Sequence, residues 1–568
     1  MGKRVSTEAA LKVMLMKKLG VVAVILLLVW GLILTFQDKE TGEKDSDVLT
    51  IATGRDATRT GDYSPFGMWE PAALIYETLV NLDAGCNPVP CLAESWTVSQ
   101  DGKTYVFSLR KGVSFHDGTP FDAAAVKANV EKLKCGNWSN VVRILQSVNV
   151  IDAHTVELVL NRPHPTLFTQ LASSTSAIVA PTSIKAKSPA DNASMKMMKG
   201  KTRAADEKAL AMMKKTVAAN GATSPGYIVA WPVGTGPYVW DGERHLKNRS
   251  FSVVRNDTYW QGMPRFSRID WQVVPDAAAR AIALESGKVD LTGETPNSTL
   301  SAENIKLLKK NEKLKVTTAD NWGTRLMIVN HTRPPFDDPE VRSALKYAID
   351  VQAIQKMLGG TVTICPGPLG PTSPLTDPAL KLQPYDVQKA RAILDDKNII
   401  DTNGDGIWEY DGRELRLSIL SGKVPTVSVL MREFFRDIGI DLAIEQKETG
   451  STFQILAQMQ FDIATHSNIP SFYLNLSQQF SNKGGRWSMH IDDPVLEKMI
   501  EKYNQSTDWD DYKRCAFEIQ RRVHEKQIIL FAVNEQKVAA YRRDLGEFVF
   551  PPEEWVGADQ NLWNMKNS

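Results

Sequence analysis

The chain has 568 residues, 43% of them hydrophobic and 23% charged, with 67 Lys and Arg against 66 Asp and Glu. That balance excludes an intrinsically disordered chain and lacks the basic excess of a nucleic-acid binder. A mean hydropathy of −0.25 excludes a multi-span membrane protein, and single cores stop growing near ~250–300 residues, so two or more lobes are expected.

Residues 1–18 form a basic stretch that includes Lys3, Arg4, Lys12, Lys17 and Lys18. Residues 19–36, LGVVAVILLLVWGLILTF, carry no charge. A bilayer core needs roughly 17–25 such residues. Positive charge stays inside, so the rest of the chain is expected in the periplasm or at the cell exterior. No A-x-A-type cleavage sequence follows, and no cysteine is placed for lipidation. An uncleaved signal anchor is the first reading and a cleaved signal peptide the alternative. Residues 37–47 are a polar linker.

The body begins with a strand pattern over 48–52 and helical spacing over 72–80. Residues 104–109 alternate as a strand. Residues 122–133 predict a helix with Asp122 as its N-cap, and 148–160 predict two strands around Asp152. The stretch 182–227 is rich in Lys, Ala and Met, with Met195, Met197, Met198, Met212 and Met213 close together. It reads as an amphipathic helical insertion, although clustered thioethers also suit Cu(I). Strands follow at 251–255 and 269–274, then a helix at 277–286 stopped by Gly287. These divide the body into a first α/β lobe at 48–295 and a second at 296–530. Residues 531–568, of strand and turn character, return to the first lobe.

The cysteines are Cys86, Cys91, Cys135, Cys365 and Cys515. Cys86 and Cys91 flank Asn87-Pro-Val-Pro90, a turn compatible with a local disulfide. The other three read as small buried hydrophobes. No phosphate-binding glycine loop, H-E-x-x-H or G-x-S-x-G sequence occurs, and nothing argues for an enzyme. Asp401, Asn403 and Asp405 stand at the first, third and fifth positions of a calcium-type loop, with Gly406 at its bend. Gly412 occupies the twelfth position, where a bidentate Glu belongs, so a polar turn is the plainer reading and calcium the weaker one.

Four ordered blocks carry a resemblance. The first is Tyr76-Glu-Thr-Leu-Val80, Leu92-Ala-Glu-Ser-Trp96, Asp101-Gly-Lys-Thr-Tyr105 and the run from Phe107 through Phe115-His116-Asp117-Gly118 to Asp122. The second is Val233-Gly-Thr-Gly-Pro-Tyr238 with Asn256-Asp-Thr-Tyr-Trp260. The third is Val274-Pro-Asp276, Arg280 and Glu285-Ser-Gly-Lys-Val-Asp290. The fourth is Asn330, Pro335-Phe336, Val341-Arg-Ser-Ala-Leu345 and Tyr347-Ala-Ile-Asp350. Over residues 48 to 540 the chain resembles the family 5 extracellular solute-binding proteins, the peptide- and nickel-binding receptors of ABC importers.

The resemblance implies an α/β, two-lobed periplasmic-binding-protein fold of the large cluster C type, with a hinge and an interlobe ligand cleft. It implies a monomer with no required cofactor. Its partners would be a peptide or metal-chelate ligand and permease subunits with a separate ATPase. Nucleic acid is not among them, and the membrane is reached through the N-terminal segment. Most of the blocks read as scaffold.

Peptide receptors of the family hold the peptide amino terminus with an Asp after a second-lobe strand. The matching stretch here, 461–473, has no Asp after Asp462. Nickel-type receptors use first-lobe arginines on the chelator's carboxylates, and Arg143 is the nearest here. His490 is the candidate ligand for a nickel chelate, with His466 at a strand end as a cleft residue. Met68, Trp69, Trp138, Trp322, Phe472, Tyr473 and Trp487 fall in loop positions that face the cleft in relatives. Arg325 and Arg486 suit a ligand carboxylate. Peptide stands ahead of metal chelate because most of the family binds peptides. A membrane-anchored sensor or chaperone on the same fold is the reading from another class.

Overall fold

Alternating side chains explain why the strands form buried sheets. In Thr324–Val329, Leu326 and Ile328 enter one apolar cluster while Met327 and Val329 enter another. A strand buried on both faces requires layers on both sides. The computed structural model describes residues 47–57, 68, 71–83, 87–133, 144–186, 227–229, 231–293, 300–359, 361–421, 425–447, 449–468, 476–482 and 488–550. The anchor expected at 19–36 and most of the insertion expected at 182–227 lie outside these residues.

Three larger sheets organise the body. The first is seven-stranded, in the order Tyr238–Leu246, Ser250–Arg255, Arg268–Val273, Val48–Thr53, Leu291–Thr292, Lys537–Arg542 and Leu314–Ala319. Leu49, Ile51, Phe251 and Trp271 fill one side of it. Ala52, Ala281, Leu284 and Leu308 fill the other, where helices Ala277–Glu285 and Ala302–Leu308 pack. The second sheet is six-stranded, in the order Val362–Cys365, Ile529–Glu535, Thr324–Val329, Ile463–Asn468, Arg416–Ser421 and Asp441–Gln446. Helices Pro494–Gln505 and Trp509–Glu525 share a cluster on one face. Helices Pro339–Tyr347, Val387–Asp396 and Pro425–Arg436 share the other.

A third, four-stranded antiparallel sheet joins Ala93–Val98, Thr104–Leu109, Thr155–Leu160 and Leu145–Asp152. Among the described residues, the buried members of its core run from Leu79 to Ala180 and include Phe107, Phe121, Val126 and Leu158, with Val233 and Trp260 packed against them. Helix Ala123–Leu133 begins where the sequence places it, and the Asp122 carboxylate accepts from Ala125 N–H at 2.8 Å. Asp122→Ala is expected to lower unfolding free energy by about 1 kcal/mol, read from denaturant unfolding. A change under a few tenths would remove the cap from the account.

Three expectations need correction. Only Ala72–Ile75 of the expected 72–80 helix forms, and Tyr76 is extended at φ −115° and ψ 146°. Helix Ala302–Leu308 and strand Leu314–Ala319 stay with the seven-stranded sheet, so the change of sheet falls after Ala319 and not at 295. Cys91 is a free, buried thiol and not half of a disulfide. Burial, with the nearby Glu77 carboxylate, pushes it far up, so it stays protonated. Cys365 and Cys515 are also free and buried, whereas Cys86 and Cys135 lie outside the described residues.

Candidate ligand cleft and its supports

Two short crossings join the seven-stranded sheet to the six-stranded one. Strand Leu314–Ala319 pairs with Lys537–Arg542 in the first sheet. After 320–323 the chain re-enters as Thr324–Val329, which pairs with Ile529–Glu535 in the second. Gln536 alone separates Ile529–Glu535 from Lys537–Arg542. A two-stranded ribbon therefore runs through both lobes.

Side chains bind the crossings together. Asn534 is fully buried, and its Nδ2 donates to Asn321 O at 2.6 Å and Gly323 O at 2.7 Å. Gln536 Nε2 donates to Asp320 Oδ1 at 3.2 Å. Gly370 N–H donates to Trp322 O at 2.8 Å, and a Cβ on Gly370 would lie 1.9 Å from Asn321 O. Only glycine admits that approach.

The first two family-type blocks converge elsewhere, on Glu77. Its buried carboxylate accepts from Thr235 Oγ1 at 2.8 Å, Tyr259 Oη at 2.7 Å and Trp260 Nε1 at 2.9 Å. Gln261 Nε2 adds a fourth donor at 3.3 Å. Burial raises its pKa against these four donors, so the neutral acid is favoured relative to water. Gly234 and Gly236 lie against the backbone of helix Ala72–Ile75, where a Cβ would come within 2.0 Å of Ile75 O and 2.4 Å of Leu74 O. His116 Nε2–H donates to Gly236 O at 3.0 Å, and burial pushes its pKa down to about 4, so it serves as a neutral strut. The Arg110 guanidinium sits 4.4 Å over the Trp260 ring and donates to Cys91 O. The arrangement ties the four-stranded unit to the seven-stranded one, and Tyr259 and Trp260 pack and donate within it.

Among the described residues, the sequence-chosen site residues do not form one cluster. Met68 is 2% exposed in the first lobe's core, and Trp322 is 2% exposed in the second lobe's. Arg325 already forks onto Glu535, with Nε to Oε1 at 3.2 Å and Nη2 to Oε2 at 2.8 Å. His466 stands opposite Leu326, toward the end of its strand that nears the crossings. His490 lies beyond the other end of that sheet, where its carbonyl accepts from His331 Nε2 at 3.3 Å. His490 adopts φ 52°. Burial pushes the His331 pKa down to about 4. Asp462 Oδ2 accepts from Ser418 N–H and Oγ at 2.9 and 3.1 Å, so it braces its own sheet. Trp69, Trp138, Arg143, Phe472, Tyr473, Arg486 and Trp487 lie outside the described residues.

Among the described residues, no group of three His, Cys, Asp or Glu side chains is placed to hold a metal. The 401–406 loop closes on itself. Asp401 accepts from Gly404 and Gly406 N–H, Asn403 from Asp405 N–H, and Asp405 from Ile407 N–H. Of the crossing residues, Trp322 was singled out from sequence as a cleft side chain; Asp320, Asn321, Asn534, Gln536 and Glu77 were not. A carboxylate inside the apolar run Ile75 to Val80 was the available signal for Glu77.

Two α/β lobes joined by a paired crossing define a two-lobed solute-binding fold. The family model for bacterial extracellular solute-binding proteins, family 5, middle region, matches residues 87–486. The chain belongs to that family, whose members are extracytoplasmic solute-binding receptors and not enzymes. It is 28% identical over 440 residues to a glutathione-binding protein of Salmonella paratyphi A, covering 76% of this chain and 74% of that one. It is 24% identical over 505 residues to the nickel-binding periplasmic protein of Escherichia coli, covering 86% and 89%. Its fold is similar to NikA from Brucella suis in complex with Fe(III)-EDTA, with TM-score 0.75, 24% identity, and 90% and 99% of the two chains covered. It is also similar to DppA from Helicobacter pylori with a bound peptide, with TM-score 0.64, 19% identity, and 90% and 96% covered.

Proposed function

We propose that this protein is the receptor of an ABC importer, capturing a small peptide between its lobes and handing it to a permease. The paired crossing at 320–323 and Gln536 carries this reading. A short ribbon clasped by Asn534 can bend while each sheet stays rigid, as domain closure requires. Ligand touching both lobes then favours the closed state by its differential affinity. Likeness to glutathione-binding proteins supports a peptide of a few residues. Asp462 is engaged with Ser418, so the ligand's amino group would be held by other means than a carboxylate at that position.

A metal chelate is the second reading, favoured by the longer alignment to the nickel-binding relative. We further propose that residues 19–36 tether the receptor to the cytoplasmic membrane. Native mass spectrometry with metal analysis, on protein purified from its source, tests all three. The expected result is bound peptide, no nickel and an intact N-terminus. Stoichiometric nickel would overturn the peptide reading in favour of the chelate. A mass lacking the first 36 or so residues would replace the tether with a cleaved leader.

A further inference from the structure

We propose that the lobes carry a second, separable contact: a polar latch in which Arg162 and Thr166 of the four-stranded unit engage Asn504 and Tyr512 of the second lobe's helix pair and hold the closed state. The proposal rests on the closure reading above. Arg162 Nη1 donates to Asn504 O, at the end of helix Pro494–Gln505. The Tyr512 hydroxyl hydrogen bonds with Thr166. A Cβ on Gly102 would lie 3.4 Å from Pro163 Cβ and 3.9 Å from Thr507 O, so the 99–103 turn meets the same place. More than 300 residues of chain separate the two sides, and among the described residues the two large sheets are joined at the crossings described above.

Both sides are built for this contact. On the first, Thr166 and Gln170 are fully buried. Thr166 Oγ1 lies 3.1 Å from His164 Nδ1, and Gln170 Nε2 lies 3.2 Å from both His164 Nε2 and Thr166 Oγ1. Burial, then the Arg162 charge, push the His164 pKa down to about 4, so the imidazole is a neutral brace beside a cation. On the second side, Tyr512 stacks on Tyr503 with ring centroids 4.1 Å apart. The Tyr503 hydroxyl hydrogen bonds with that of Tyr512 and accepts from Leu476 N–H at 3.4 Å. A relay of hydroxyls thus runs from His164 through Thr166, Tyr512 and Tyr503 into the second lobe. Preset partners lose little conformational freedom on meeting, so the bond adds to closure beyond what the ligand supplies.

The test places spin labels at Lys111→Cys and Glu501→Cys, both exposed and one on each side. Distances are measured in the full chain with and without a tryptic casein peptide mixture. The unmodified latch is expected to show a short-distance population that grows with peptide. Thr166→Val and Tyr512→Phe should each lower the ratio of short to long distances about fivefold, the worth of one solvent-competing hydrogen bond. Combining them should lower it no further, because they delete the same bond. Unchanged ratios in both variants, with or without a lower melting temperature, would reduce the contact to passive packing and overturn the latch. Fully multiplicative effects would also overturn it. A single distance under every condition in the unmodified latch would defeat closure, and the latch with it. A distance that responds to peptide identically in all variants would defeat the latch alone.

Discussion

Replacing Glu77 with Leu is expected to lower the unfolding free energy by about 3–5 kcal/mol. Leucine fills much of the volume, but it leaves the donors of Thr235, Tyr259, Trp260 and Gln261 facing apolar atoms. Backbone bonds from Gly236 to Ile75, Asn256 to Pro237 and Tyr259 to Asn256 fix the segments that carry these donors, so they stay aimed at the position the carboxylate has left. Glu77→Gln keeps one acceptor oxygen and introduces a competing donor, and should lose about half as much. Their pH dependence separates charge from shape. Burial raises the folded-state pKa of Glu77 above its usual 4.5. A raised acid contributes fully below the unfolded value and loses that contribution as pH rises through the folded one. The stability of the native chain relative to Glu77→Gln should therefore fall as pH is raised from about 4.5. Denaturant unfolding across pH measures both effects. A Glu77→Leu chain within 1 kcal/mol of the native one would show that the donors find water.

Asp493→Asn is expected to cost about 2–3 kcal/mol at pH 7 and almost nothing near pH 2. The Asp493 side chain is 3% exposed, and it receives Arg522 Nε at 2.8 Å and Lys526 Nζ at 3.0 Å. It also caps helix Pro494–Gln505 by accepting from Val495 and Leu496 N–H. Burial alone would raise its pKa, but the Arg522 and Lys526 bonds outweigh it and bring the group down from 3.8 to about 2. A depressed acid contributes above its unfolded value and loses that contribution as pH falls through the folded one. The window is therefore about pH 4 to 2. Asparagine caps a helix nearly as well as aspartate, so the variant isolates the charge. A penalty that stays constant down to pH 2 would assign the effect to the cap.

Elements whose signals are local were legible in the sequence. Thr104–Leu109 has strict alternation, Ala123–Leu133 has its Asp122 cap, and Ala277–Glu285 ends before Gly287 at φ 75°. The helix expected over 72–80 failed because Glu77 serves the distant donors of Tyr259 and Trp260 better from an extended backbone than from a helix. The four-stranded unit was not separated from the first lobe, because its independence is a matter of which residues share a core. At the candidate site, hydrophobicity could not tell a cleft side chain from a core one. Met68 and Trp322 lie in cores. Arg325 looked available from sequence, but its partner Glu535 is 210 residues away. The convergence of the first two family blocks on Glu77 gives their reading as scaffold its physical content.

The ribbon that joins the sheets also governs when either can be finished. Ile529–Glu535 lies between Val362–Cys365 and Thr324–Val329, and Lys537–Arg542 lies between Leu291–Thr292 and Leu314–Ala319. Both are interior strands, and both come from the last tenth or so of the chain. A polypeptide that emerges amino end first carries neither sheet complete until residue 542 has followed. Each lobe must hold open a slot whose backbone donors and acceptors stay wet. The same arrangement means that one late truncation, before Ile529, would take an inner strand from both lobes at once.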